Sequence, residues 1–266
     1  MRKGALHRRI CTGELKNIVG VLILKRVVAV AVATVVALHA VPAVANPSGV
    51  EYEGSHAIWK VGGKPVWRFP KANAALVTAM SDRFNTLYKK GFSLRDLRVA
   101  KKGGEWSLCI GENILAAASP EHCVEGKRSA KTVALLWMSR VYDAIGKLHA
   151  QELTAKYKLK GGYEVTSNVS WFGGKFIGRK FANGEQFTEG HLAAAAKSLP
   201  FGTLVRITAP ATGRSVVVRI TDRFGEHKGR ALDISQAAAE VLGIQRAGVA
   251  KVQIQIIGKV ERVGGR

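Results

Sequence analysis

The chain has 266 residues, a formal net charge of +22 and 47% hydrophobic residues. That apolar content predicts a folded core and excludes a disordered protein, and the length allows one large domain or two small ones. No basic run is interleaved with aromatic residues as in a single-strand nucleic-acid groove, so we expect no nucleic-acid partner. The positive charge instead favours attraction to acidic walls or lipids.

Residues 1–45 have the pattern of a secretory signal peptide. Lys25 and Arg26 precede an apolar run at 27–40, and Ala43 and Ala45 supply the small residues of a cleavage site after residue 45. The run is shorter than the ~20 residues that cross a bilayer. We therefore expect export to the periplasm or the cell exterior, with no membrane span left after cleavage. The remaining chain, 46–266, carries a net charge of +16.

Residues 46–157 are predicted to form an α+β module. We expect a loose segment at 46–54 and then a mixture of short strands and two amphipathic helices. The four tryptophans of the module could form a sugar-binding platform, but at strand and helix positions they are more often core residues. The predicted strands are 56–61, 65–69, 97–100, 106–110 and 114–117, and the predicted helices are 72–90 and 130–150.

Cysteine and histidine usage gives little sign of metal or redox chemistry. After removal of the leader, Cys109 and Cys123 remain as an even pair in an exported protein, which predicts either a disulfide or two buried thiols. Neither cysteine lies in a motif with a basic activator. No histidine pair in the module has metal-ligand spacing. We therefore expect no metal and no cofactor.

The second half of the chain changes in character. A linker at 158–164 leads into residues 165–257, which contain short strands, glycine-rich loops and two short helices predicted at 192–197 and 237–242. Many short strands with few helices predict a small closed β-barrel. Residues 258–266 are interpreted as a basic tail.

Two carboxylates stand out in the barrel. A β-branched strand at 216–220 ends on Asp222, and Asp233 follows just before a helix that Ser235 could cap. A rigid strand that delivers one acid to a loop, with a second acid returning nearby, suits proton chemistry. The alternative is that Asp222 is an ordinary aspartate before a turn and that Asp233 only accepts hydrogen bonds from backbone amides.

At this point residues 165–257 resemble a known family. The segments VSWFG (169–173), FANGEQF (181–187), AAAAKSLPFGT (193–203), GRSVVVRITDR (213–223), GRALDIS (229–235) and GVAKVQI (248–254) are similar to the rare lipoprotein A group, which is related to expansins. The resemblance implies a mainly-β, six-stranded double-psi barrel after the α+β module. The first module is weakly similar to the amino-terminal region of some relatives.

The resemblance also implies an activity. Members of this group are lytic transglycosylases of peptidoglycan, in which one carboxyl protonates the glycosidic oxygen and then accepts the proton of the sugar's own 6-hydroxyl. This differs from hydrolysis, where water attacks and two carboxylates divide the roles. The implied acid/base is Asp222, or Asp233 if the expansin arrangement is the better guide, with Glu185 as an electrostatic or orienting partner. The implied glycan contacts are Trp171, Phe172, Arg223 and His191.

Departures from the family pattern open a second hypothesis. Ala196 stands where the family has a histidine, and Thr188 stands at an acidic family position. Loss of an imidazole from an acid/base site typically costs about 10²–10⁴ in rate. The alternative function is therefore that of a non-catalytic, expansin-like protein that binds cell-wall glycan.

Overall fold

The computed structural model describes residues 46–122, 128–151, 153, 164–225 and 229–265. The predicted signal peptide, Cys123 and all of the predicted linker except Glu164 lie outside the described residues. Residues Asn46–Arg266 form one compact unit. The boundary between module and barrel at 158–164 stays a prediction.

The first module contains two small antiparallel sheets and two helices. Strands β1, β2 and β3 form one sheet, and β5, β6 and β7 form the other. Helix α1 ends at Gly91, whose φ of 73° suits a residue without a side chain. Ser129 caps α2 by accepting a hydrogen bond from the Thr132 amide. The bounds are β1 Ser48–Glu53, β2 His56–Val61, β3 Lys64–Pro70, α1 Ala74–Lys90, β4 Phe92–Ser93, β5 Leu97–Lys102, β6 Glu105–Ile110, β7 Asn113–Ala117 and α2 Ala130–His149.

The prediction of a loose segment at 46–54 was wrong. Residues Ser48–Glu53 pair along their whole length with β2, and the Ser48 hydroxyl accepts a hydrogen bond from Trp59 at 2.7 Å. Three of the four tryptophans, Trp59, Trp67 and Trp137, are buried in the core, and Trp106 packs against it. The core interpretation of these residues is therefore confirmed.

The second half forms the predicted barrel. Six strands close in the order β10–β11–β9–β12–β8–β13, with both parallel and antiparallel pairs. The predicted fold class, an α+β module followed by a six-stranded double-psi barrel, is confirmed. The bounds are β8 Glu164–Phe172, β9 Ala193–Ala195, β10 Thr203–Ala209, β11 Arg214–Asp222, β12 Arg230–Ser235, α3 Gln236–Leu242 and β13 Val249–Lys259.

The helix predicted at 192–197 was wrong, because Ala193–Ala195 is strand β9. It pairs in parallel with β11 on one side and antiparallel with β12 on the other. Alanine has the highest helix propensity, but here the barrel needs a short strand of small side chains between two neighbours. Tertiary pairing therefore overrides local preference at this position.

One hydrophobic core spans both parts of the chain. Buried residues of the first module, such as Trp137, and of the barrel, such as Val218, belong to the same cluster. Residues 258–266 include the end of β13 and a short strand, β14 Arg262–Val263, which pairs with β4 of the first module. The carboxyl-terminal segment thus links the two parts.

Cys109 is a buried, free thiol in the structure. Cys123 lies outside the described residues, so the choice between a disulfide and two buried thiols stays a prediction. Burial raises the pKa of the Cys109 thiol. Within the described residues, no helix is long and apolar enough to cross a membrane, and no group of three or more His, Cys, Asp or Glu side chains could hold a metal ion.

Candidate functional site

A row of four residues crosses one part of the barrel. Ser170 on β8 pairs with Asp233 on β12, Asp233 pairs with Ala195 on β9, and Ala195 pairs with Asp222 on β11. The two aspartates are therefore two strand spacings apart, roughly 10 Å between Cα atoms. Ala195 lies between them, and its side chain is the smallest of any residue except glycine. The structure thus brings the two predicted acids into one region.

Asp222 is anchored through one carboxylate oxygen. Its Oδ1 accepts hydrogen bonds from the amides of Ala182 at 2.9 Å and Arg223 at 2.8 Å. Its Oδ2 makes no hydrogen bond with the described residues, and the side chain is only partly buried. Bonding to backbone amides, the alternative raised for Asp233, is thus found for Oδ1 of Asp222, whereas Asp233 Oδ1 bonds the hydroxyl of Ser170. The two amide contacts orient the Asp222 carboxylate and leave its second oxygen open.

Asp233 is held less tightly. Its Oδ1 accepts a hydrogen bond from the Ser170 hydroxyl at 2.7 Å, and that hydroxyl in turn accepts one from Arg230 at 2.8 Å. Ser235, two residues later, caps α3 as predicted by accepting a hydrogen bond from the Ala238 amide. The Ser235 hydroxyl also donates to the carbonyl of His191 at 2.6 Å. These contacts fasten the loop before β9 to the end of β12.

Glu185 belongs to a nearly buried ion pair. Both of its carboxylate oxygens accept hydrogen bonds from Arg219, at 2.7 and 2.5 Å, and the two side chains are 12% and 4% exposed. The Asn183 amide donates to Glu185 at 2.6 Å, and Arg95 of the first module lies 3.3 Å away. Arg219 is on β11, three residues before Asp222. The ion pair therefore links Glu185 to the strand that carries Asp222.

The partners of Glu185 determine its protonation state. Burial alone would raise its pKa, but the hydrogen bonds and charge of Arg219, with Asn183 and Arg95, hold the pKa below its usual value. Glu185 is therefore an ionised carboxylate at neutral pH and cannot donate a proton there. The pKa of Arg219 is raised, because hydrogen bonds to Glu185 and that residue's negative charge outweigh the effect of burial.

His191 lies in an aromatic cluster rather than beside an aspartate. Its ring packs against Phe181 and Phe187, at 5.6 and 6.2 Å between ring centroids. Its Nδ1 accepts a hydrogen bond from the Thr188 amide at 2.9 Å. Burial, and secondarily the positive charge of Arg219, lower the pKa of His191 to about 4. The ring is therefore neutral at pH 7, with its proton on Nε2.

The other predicted glycan contacts are placed differently from one another. The Trp171 indole donates to the Gln245 carbonyl at 3.1 Å and packs against the main core, whereas Phe172 packs against Phe181 and Phe187. Arg223 is exposed, and its guanidinium lies 3.8 Å from the centre of the Phe201 ring. Arg223 is therefore the most accessible of the three side chains.

Ala196 stands at the position where the rare lipoprotein A group has a histidine. Ala196 is 2% exposed. Its amide donates to the Asp222 carbonyl at 3.1 Å, and its carbonyl accepts a long hydrogen bond from Arg223 at 3.4 Å. Among the described residues, no imidazole reaches the Asp222 carboxylate.

Three residues that contact Glu185 escaped prediction: Arg219, Asn183 and Arg95. Arg219 interrupts a strand of buried aliphatic residues, and a charged residue at such a position signals a buried ion pair. Asn183 precedes a glycine, a pattern that indicates only a turn. Arg95 carries no sequence signal, because it reaches Glu185 from a separate module.

The barrel region is similar in sequence to known proteins. The family model described as "Lytic transglycolase" matches residues 164–254. The predicted resemblance to the rare lipoprotein A group is confirmed for the barrel. This rare lipoprotein A-like barrel is 45% identical over 100 residues to a Synechocystis protein named "Probable endolytic peptidoglycan transglycosylase RlpA". The match covers 38% of this chain and 30% of that protein.

A second relative extends beyond the barrel. The "Endolytic peptidoglycan transglycosylase RlpA" of Neisseria meningitidis serogroup B is 40% identical over 148 residues, which is 56% of this chain and 58% of the relative. The chain thus matches less than two thirds of the length of either curated relative. Among solved structures, a Streptomyces papain inhibitor has a TM-score of 0.30 at 19% identity, over 35% of this chain and 93% of that one. A Clavibacter michiganensis expansin in complex with cellohexaose has a TM-score of 0.27 at 16% identity, over 35% and 50% of the two chains.

Proposed function

We propose that this protein is an exported lytic transglycosylase that cleaves peptidoglycan glycan strands and leaves anhydro-muramyl ends. The observation that carries the proposal is the Asp222 carboxylate, which is oriented through Oδ1 and has its Oδ2 free of the described residues. The names of the relatives, which describe endolytic peptidoglycan transglycosylases, support the same substrate class. Periplasmic or cell-wall location follows from the substrate and from the predicted leader.

In the proposed reaction one carboxyl acts twice. Protonated Asp222 donates its proton from Oδ2 to the glycosidic oxygen, and the bond between that oxygen and the anomeric carbon breaks. The resulting carboxylate then accepts the proton of the 6-hydroxyl on the same sugar, whose oxygen bonds to the anomeric carbon and closes the anhydro ring. No water is consumed, and the carboxyl returns to its protonated state.

The other groups have supporting roles in this proposal. Glu185 stays ionised and fixes Arg219 on the strand that carries Asp222, which makes it an orienting group rather than a proton donor. Asp233, about two strands away, is placed to stabilise positive charge that develops on the sugar ring. Arg223 and the aromatic surface of Phe172 are the proposed glycan contacts, with Trp171 and His191 supporting them from more enclosed positions.

A second candidate function is non-catalytic binding of cell-wall glycan. It is favoured by Ala196, which leaves Asp222 without a neighbouring imidazole among the described residues. The two candidates differ in product. The purified protein is incubated with peptidoglycan sacculi, and the soluble fraction is analysed by mass spectrometry for anhydro-muropeptides. Their appearance supports the transglycosylase, whereas binding to sacculi without product supports the alternative.

A further inference from the structure

A cavity of about 300 Å³ lies where the first module meets the barrel. The first module contributes Arg95 to its wall, the barrel contributes Asn183, Phe201 and Arg219, and the carboxyl-terminal segment contributes Lys259 and Glu261. Cavities of this size between two structural parts are frequent ligand sites. We call it the Arg95 cavity.

The Arg95 cavity adjoins the candidate catalytic site. Its residues Arg95, Asn183 and Arg219 contact the carboxylate of Glu185. Its residue Phe201 carries the guanidinium of Arg223, the neighbour of Asp222. A strand bound at Asp222 would therefore have its substituents within reach of this cavity.

The charge of the cavity favours an anion. Arg95 is 59% exposed and makes one contact with Glu185, at 3.3 Å. Lys259 forms an ion pair with Glu261 at 2.5 Å. Because both terminal nitrogens of Arg219 and the Asn183 amide already bond Glu185, the exposed guanidinium of Arg95 retains N–H donors for one further carboxylate.

The backbone that carries Arg95 is held in place. The Ser93 amide donates to the Asp96 carboxylate at 2.9 Å, and the Arg95 amide donates to the Ser93 hydroxyl at 3.3 Å. Strand β14 pairs with β4 at Ser93, two residues before Arg95. These contacts fix the turn, so a ligand need not order this backbone when it binds.

We propose that the Arg95 cavity is a subsite for a carboxylate of the peptidoglycan strand, with Arg95 as a specificity-determining residue. The proposal rests on the proposed function, because it assumes that a glycan strand lies at Asp222. Peptidoglycan carries such carboxylates on its stem peptides and, where the stem is removed, on the lactyl group of muramic acid. Both sources present the same group to a guanidinium. The first module thus contributes to recognition in addition to supporting the barrel.

The test measures dissociation constants for three soluble ligands: strands with stem peptides, amidase-stripped strands and a neutral N-acetylglucosamine oligosaccharide. The Asp222→Asn background prevents consumption of the ligand. Arg95→Ala is expected to weaken binding to at least one carboxylate-bearing strand by about tenfold, since a hydrogen bond to a charged group contributes this much or more. Binding of the neutral oligosaccharide is expected to change less than about twofold, within the range of ordinary surface substitutions. Loss on stem-bearing strands alone identifies the stem carboxylate, and loss on stripped strands identifies the lactyl group.

Two control variants separate recognition from structural effects. Arg95→Lys keeps the charge and is expected to recover part of the affinity. Arg68→Ala removes an equally exposed arginine, which pairs with Glu53 at 2.7 Å in the same module, and should leave all three affinities unchanged. The subsite would be overturned if Arg95→Ala left the affinity for both carboxylate-bearing strands unchanged. An equal loss of affinity for the neutral oligosaccharide would also overturn it. Because binding is measured without turnover, this result is independent of whether the wild-type protein forms anhydro-muropeptides.

Discussion

The Glu185–Arg219 ion pair gives the sharpest prediction about stability. Glu185→Gln removes the negative charge and leaves the guanidinium of Arg219 nearly buried without its carboxylate. Loss of one partner of a buried pair costs about 3–5 kcal/mol. We expect about 3 kcal/mol, the lower end of the range, because Glu185 keeps 12% exposure and its amide replacement can still accept a hydrogen bond.

Urea unfolding measures this change directly. With a slope of about 3 kcal/mol per molar urea, a loss of about 3 kcal/mol lowers the unfolding midpoint by about 1 M. The matched control is Glu53→Gln, which breaks an exposed pair with Arg68 and is expected to cost less than about 1 kcal/mol. A double variant, Glu185→Gln with Arg219→Met, should recover much of the loss, since apolar replacement of a buried pair is often neutral. Equal midpoints for Glu185→Gln and Glu53→Gln would show that the buried ion pair stabilises the fold no more than the exposed one.

Two further predictions concern the loop that follows Glu185. A Cβ at Gly190 would lie 2.0 Å from the Val99 carbonyl oxygen, so Gly190→Ala forces the loop away from the first module. We expect a loss of about 1–3 kcal/mol, seen by calorimetry as a melting temperature lower by several degrees. In Gly49→Ala the new Cβ would meet no atom within 4 Å, so the melting temperature should change little. Similar melting temperatures for both variants would show that Gly190 does not lie against Val99. The second prediction is that protonation of His191 destabilises the fold, because its pKa of about 4 lies below the 6.5 of a free imidazole. The unfolded chain then binds the proton first, and stability falls by at most about 3 kcal/mol as the pH drops from about 6.5 toward 4. Urea unfolding across this pH range should show a shallower decline for His191→Gln, and an unchanged decline would remove His191 as its cause.

Local patterns predicted much of the fold. The β-branched run at 216–220 and the Ser235 cap depend on residues close in sequence, and both lie as expected in β11 and α3. The Ala193–Ala195 segment shows the limit of such reasoning. Its alanines favour a helix in isolation, but hydrogen bonding to β11 and β12 decides their conformation.

The site was only partly visible in the sequence. The strand and cap patterns indicated where Asp222 and Asp233 emerge, and the family resemblance pointed to Glu185. The pairing of Glu185 with Arg219 joins residues 34 positions apart, and Arg95 joins the same group from another module. Such contacts depend on how distant segments pack, which no local period or spacing encodes.

The proposed role of Asp222 is tested most directly by the rate at which anhydro-muramyl ends are released from peptidoglycan. We expect Asp222→Asn to lower this rate at least about 10²-fold, while the urea midpoint changes little because Oδ1 can still accept both backbone hydrogen bonds. Asp233→Asn should reduce the rate less. An Asp222→Asn protein that releases anhydro ends at the wild-type rate would show that Asp222 is not the acid/base.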